Sequence, residues 1–172
     1  VSGALDIRFF VYPAHDDHSP PGQEVLGAAI DGVDLRRLVA DATEPLWRAE
    51  GDPEGVDDGF VLFQHEGLPR ADVGWPSRHF LGDVADHYGG HDDGEVPLLG
   101  CACGIWGCWP MLARIVVAAA TVTWADFRQP FRSGWGILPI GPLAFDRTAY
   151  EASLAHPREL MADPLRMKGS RR

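Results

Sequence analysis

The sequence predicts a single α+β domain over its 172 residues, built on an antiparallel sheet that contains a C-terminal three-stranded meander and is closed by a helix. Three observations predict it. Apolar and less apolar positions alternate near the N-terminus, three successive apolar runs between residues 96 and 127 are separated by turn-forming residues, and a capped helical pattern follows Asp146. A chain of this length removes ~70% of its extended surface from water on folding, so it needs no staples.

Leu5, Ile7, Phe9 and Val11 alternate with Asp6, Arg8, Phe10 and Tyr12, the period-two signature of a strand with one strongly apolar face. HDDHSPPG, from His15 to Gly22, stacks residues that favour turns and is a loop. Glu24 to Ile30 returns as a second strand, and Asp31-Gly32 signals a turn. Leu35, Leu38, Val39 and Trp47 then fall near helical spacing in a helix that Pro45 interrupts. Gly51 to Asp58 is acidic and loop-like, and Gly59 to Phe63 reads as a short strand or hydrophobic plug. A brief helix is expected around Ser77 to Asp83, followed by the flexible acidic loop HYGGHDDGE.

VPLLGCAC, MLARIVVAA and TVTWADF are the three meander strands, separated by CGIWGCWP and by the small residues near Ala119. RQPFRSGWGILPIGP is a long irregular segment whose rings pack onto the sheet. Asp146 caps the closing helix, Tyr150 and Leu154 share one of its faces, and His156-Pro157 ends it. From about residue 163 the tail is polar and basic.

The chain carries 15 basic and 25 acidic side chains, a formal charge of −10. Such a surface repels phosphate backbones and anionic lipid, so neither nucleic acid nor a membrane is expected as partner. The acidity lies before Gly100, whereas Cys101 to Arg172 is net basic. The expected partner is another protein, a basic one, steered by the acidic portion. The longest apolar stretch, Met111 to Trp124, is interrupted by Arg114 and is too short to span a bilayer. An odd number of cysteines crowded into a few positions is no secreted disulfide framework, and a reducing cytoplasm is the expected location.

Cys101, Cys103 and Cys108 stand in CACGIWGCWP. In a hairpin, side chains two apart share a face and Cys103 lies across the turn from Cys108, so three sulfurs converge. Convergence supports a thiolate metal site that needs a fourth ligand, a cross-strand disulfide, or small polarisable side chains packed at a tight turn. Packing is the expectation; Zn²⁺ on these cysteines, or redox or nucleophilic use of one, is the alternative. Two loops gather harder ligands, His15, Asp16, Asp17 and His18, then Asp86, His87, His91, Asp92, Asp93 and Glu95, and these are expected to be solvated. No phosphate-binding glycine string, HExxH or GxSxG motif occurs, so no cofactor and no catalytic residue is assigned. Trp124, Arg128, Gln129, Arg132 and Trp135 form a candidate binding surface, rings interleaved with groups that can receive a carboxylate or phosphate, or else a lid on the core.

LLGCACGIWGCWP, TVTWADFRQPFR and GPLAFDRTAYEASL together resemble a group of bacterial proteins that carry a CxCGxxGCWP hairpin, a VxWxxFxQPHR segment and a GPFxFDxxQYxxAL closing helix. IDGVDLRRLV is similar to the IxGxxLxxLV element of the same group. The resemblance implies no reaction, cofactor or catalytic residue. Phe131 stands where that pattern has His, so a role carried by the histidine would be lost here. The functional expectation is a non-enzymatic, immunity- or antitoxin-like domain that binds protein, the alternative a zinc- or thiol-dependent enzyme centred on the three cysteines.

Overall fold

A computed structural model describes residues 3–16, 18–51, 56–92 and 94–167. In chain order its elements are β1 (Ile7–Pro13), β2 (Glu24–Ile30), β3 (Val33–Asp34), α1 (Leu35–Glu50), α2 (Asp58–Leu62), β4 (His65–Glu66), β5 (Leu68–Pro69), α3 (Arg70–Val73), β6 (Glu95–Cys101), β7 (Met111–Val117), β8 (Thr121–Arg128), β9 (Leu143–Asp146), α4 (Arg147–Ala155), β10 (Arg158–Glu159) and α5 (Pro164–Met167). The class is α+β. β6, β7 and β8 form the antiparallel meander, and α4 closes it with the Asp146 carboxylate accepting from the Ala149 N–H.

Two sheets stand where one was expected. One has the order β10-β1-β2-β3, with β5 also on β2, and the other β4-β6-β7-β8-β9. The strand pairs are antiparallel except the short parallel contact of β10 with β1. Residues 65–69 pass from one sheet to the other, β4 pairing with β6 and β5 with β2. Gly67 makes the crossing. A Cβ there would press on the Leu26 backbone, whose carbonyl carbon would lie 2.9 Å away.

The main core fills the space between the sheets. Ile7, Phe9 and Val11 face it from β1, and Phe9 meets the rings of Phe80 and Tyr150 edge-on at 5.3 Å. The Trp124 indole N–H donates to the Tyr150 hydroxyl at 3.0 Å, and that hydroxyl donates to the Phe80 carbonyl. The polar ends of these large rings are thereby satisfied inside hydrocarbon. On the opposite face of β1, Phe10 and Tyr12 build a smaller cluster with Val25. Gly27 leaves the room that the Phe10 ring occupies, because a Cβ would come within 2.8 Å of it.

Several local expectations change. α1 runs through Pro45 without interruption; Pro45 and Asp41 are both exposed, so the carbonyl that the missing N–H abandons faces water. Residues 58–62 are helical rather than extended, because the Asp57 carboxylate accepts from the Gly59 N–H and caps a short turn. The helix expected around residues 77–83 shrinks to one 3-10 turn at His79–Leu81. His79 anchors that turn as a neutral core residue: Nε2 lies 2.8 Å from the Pro97 carbonyl, Nδ1 accepts from the Ala85 N–H, and burial pulls its pKa down to about 4. The far end of the basic tail, residues 168–172, lies outside the described residues. Among the described residues no helix is long and apolar enough to cross a membrane.

Candidate metal centre

β6 runs out at Cys101, directly opposite His65 of β4. The connection from there to β7 is wider than a hairpin turn. The Ala102 N–H donates to the Gln64 carbonyl, the Gly104 N–H to the Cys101 carbonyl at 3.1 Å, and the Cys108 N–H to the Ile105 carbonyl at 3.0 Å, folding residues 102–110 into a compact loop before β7. Gly100 lets the loop lie back on the strand, since a Cβ there would stand 3.1 Å from Trp106 and 3.2 Å from Leu68. Cys103 sits in the turn and Cys108 in the 3-10 turn Trp106–Cys108, so strand alternation is not what gathers them. The loop gathers them all the same: the three sulfurs lie within 4.8 Å of one another.

Backbone dipoles converge on this cluster. The Cys103 N–H is directed at Cys101 Sγ, 3.5 Å away, and the Ile105 N–H at Cys103 Sγ, 3.4 Å away. Donors of this kind favour thiolate over thiol. Burial works against them and, with the adjoining Cys103 and Cys108 thiols, pushes the Cys101 pKa up to about 12. Cys101 and Cys103 are half-buried and Cys108 is exposed, so the cluster opens to solvent on one side. All three are free, and no disulfide joins them.

Two histidines flank the loop. His65 is buried, with Nδ1 3.2 Å from the Gly100 carbonyl, which can accept its proton, while Nε2 has no partner. Burial lowers its pKa to about 4, so the ring is neutral. His91 Nε2 is likewise buried without a partner, and its ring stands edge-on to Trp106 at 6.1 Å. Among the described residues only the three cysteines bring ligand atoms together closely enough to share an ion.

On the other side of the loop the Asp16 carboxylate fits against Gly104, whose φ is +90°. Asp16 accepts from the His18 and Ser19 N–H groups and from the Ser19 hydroxyl, and the Glu66 carboxyl interacts with it electrostatically. These contacts hold Asp16 below its ordinary value although its burial works the other way. Glu66 is pushed up to about 7 by burial, and by Asp16 in addition. Behind this pair, Arg36 forms a two-pronged buried bridge to Asp163 at 2.8 and 2.9 Å and lies over the Tyr12 ring at 4.7 Å.

The harder ligands of the two loops form no second cluster of three among the described residues. His87 lies 3.5 Å from Asp72, Glu95 is clasped by Arg128, and Asp17 and Asp93 lie outside the described residues. The aromatic surface is not assembled as expected. Trp124 is fully buried, because β8 turns it into the core toward Tyr150, and Gln129 is buried with its amide donating to the Pro110 carbonyl and accepting from the Phe131 N–H. Arg128 is held by Glu95. Arg132 and Trp135 stay at the surface, but with Trp47 and Trp109, which no local pattern linked to them: the guanidinium lies 5.0 to 6.0 Å from the three indole rings and is paired with Glu50. The chain matches no protein-family model, no curated protein and no solved structure.

Proposed function

We propose that the protein binds Zn²⁺ through Cys101, Cys103 and Cys108 and leaves the fourth coordination position to a ligand from outside the chain. The observation that carries this reading is the gathering of three sulfurs within 4.8 Å of one another. At a Zn–S distance of about 2.3 Å, the sulfurs of a tetrahedral site stand roughly 3.8 Å apart, so small side-chain movements close the cluster on an ion. The N–H groups of Cys103 and Ile105 already aim at the sulfurs and would share the thiolate charge.

At Cys101 the electrostatics disfavour a nucleophile. An attacking cysteine needs a depressed pKa, whereas that of Cys101 is pushed up to about 12. A divalent cation reverses the crowding of three thiols that helps raise it and deprotonates its ligands outright. Three protein ligands and one exchangeable position suit either a bound water or a donor group from a partner.

The test is metal analysis of protein purified under reducing conditions, followed by Co²⁺ substitution. Close to one zinc per chain is expected, with sulfur-to-cobalt absorption that disappears in Cys103→Ser. A metal-free protein that gives no such absorption with Co²⁺ overturns the reading. A second reading, a non-enzymatic domain whose acidic surface binds a basic protein, is supported by the formal charge of −10. It predicts a partner captured at low salt and released at high salt, whatever the metal content.

A further inference from the structure

A cleft of about 1120 Å³ opens on the outer face of β1, flanked by α4 and by the segment that leads into α5. Its floor is apolar, with Phe10 and Ala29 from adjoining strands and Leu160 and Leu165 from the C-terminal segment. Small side chains shape it: Gly27 lets the Phe10 ring lie across the sheet, and Ala152 keeps the α4 wall low.

The rim is cationic, in a chain that is strongly acidic as a whole. Arg37 and Arg158 line it. Every other arginine among the described residues lies within salt-bridge distance of a carboxylate. Arg37 and Arg158 alone have no such partner among the described residues, and both stand on this cleft. Arg158 is in register with Phe10 across the parallel β1–β10 pair, so a free guanidinium sits beside the apolar floor. Asp6 and Asp34 also line the cleft, and each is already engaged, Asp6 by Arg8 and Asp34 by Arg36. Unpaired guanidinium groups above an apolar trough of this size are suited to a ligand with an acidic head and a hydrocarbon body.

We propose that this cleft binds an amphipathic organic anion, with a carboxylate head received by Arg37 and Arg158 and an aliphatic body lying over Phe10. An alkyl carboxylate fits better than inorganic phosphate, because only the former has a hydrocarbon body to cover the apolar floor. No cysteine lines the cleft, so the inference stands apart from the metal centre.

The test is calorimetric titration of the whole chain with octanoate, octanol, octylamine and inorganic phosphate. Octanoate is expected to bind at least tenfold more tightly than the other three. In the double variant R37Q/R158Q octanoate should bind at least tenfold more weakly, and in Ala152→Trp, which fills the cleft from an exposed helix position, binding should be lost. Arg78→Gln, outside the cleft, should bind as the parent does, and circular dichroism should show all variants folded. Absence of octanoate binding, equal binding of octanol or octylamine, preference for inorganic phosphate, or undiminished binding in both cleft variants each overturns the proposal.

Discussion

Gly104 and Gly107 occupy the same short loop and look interchangeable in the sequence, yet they carry different demands. Gly104 has a φ of +90° and lies against the Asp16 carboxylate, whereas nothing stands within 4 Å of where a Gly107 Cβ would be. Gly104→Ala is therefore expected to cost about 1–3 kcal/mol in urea unfolding and to weaken metal binding, while Gly107→Ala stays within about 0.5 kcal/mol. Glu66 supplies a second residue-scale prediction. Its pKa rises from an ordinary 4.5 to about 7 on folding, so the stabilisation by its protonated form is complete below pH 4.5 and is lost as pH rises through about 7. The lowered pKa of Asp16 acts in the opposite direction and matters only toward acid pH. Glu66→Gln keeps an acceptor for the His15 N–H without the titration. The variant should match the parent near pH 4.5 and surpass it by pH 8, by up to roughly 3 kcal/mol, as read from denaturant midpoints.

At the scale of elements, the start of α1 and the C-terminal segment are locked by one ion pair. Arg36 is buried, and its charge is met by Asp34, which also caps the helix, and by Asp163 from 127 residues further on. Asp163→Ala leaves the buried guanidinium with Asp34 as its one carboxylate among the described residues and Nη1 without its acceptor, and is expected to destabilise the protein by about 1–3 kcal/mol in thermal or denaturant unfolding. Gly67 joins the other two elements that must meet, β4 and β5. Gly67→Ala has no flexible neighbour to displace, only the Leu26 backbone, and a loss of at least about 2 kcal/mol is expected, with weakened Co²⁺ absorption because β4 is the neighbour of Cys101. Element-scale features with local causes were legible: the Asp31-Gly32 turn has φ values of 47° and 80°, and the Asp146 cap is in place. The continuity of α1 through Pro45 was not, because it depends on which side of the helix faces water.

Across the whole molecule, the proposed metal binding would be linked to stability. A Zn²⁺ ion bound by the native cluster raises the unfolding free energy by RT ln(1 + [Zn²⁺]/Kd), about 2.7 kcal/mol at a hundredfold excess over Kd. Added Zn²⁺ should therefore raise the melting temperature of the reduced protein, and a chelator should reverse the rise. Cys101→Ser combined with Cys108→Ser should abolish both effects; an equal response in that variant would place the ion elsewhere. The charge asymmetry of the chain has a counterpart in space. Among the described residues, the two arginines that lie within salt-bridge distance of no carboxylate, Arg37 and Arg158, both line one cleft, an arrangement that composition alone hides.

The α+β class, the meander and the capped closing helix were legible in the chain, because alternation and turn chemistry act over a few residues; the meeting of three cysteines followed from their short spacing, although a loop and not a hairpin brings it about. Long-range packing set the remainder. It divided the strands between two sheets by letting residues 65–69 cross at Gly67, turned Trp124 and Gln129 inward, and gathered Trp47, Trp109 and Trp135 around Arg132. It also set His65 beside Cys101 and Asp16 against Gly104. These contacts join residues far apart in the chain, and they depend on how two twisted sheets close over a shared core, which no local pattern of side chains encodes.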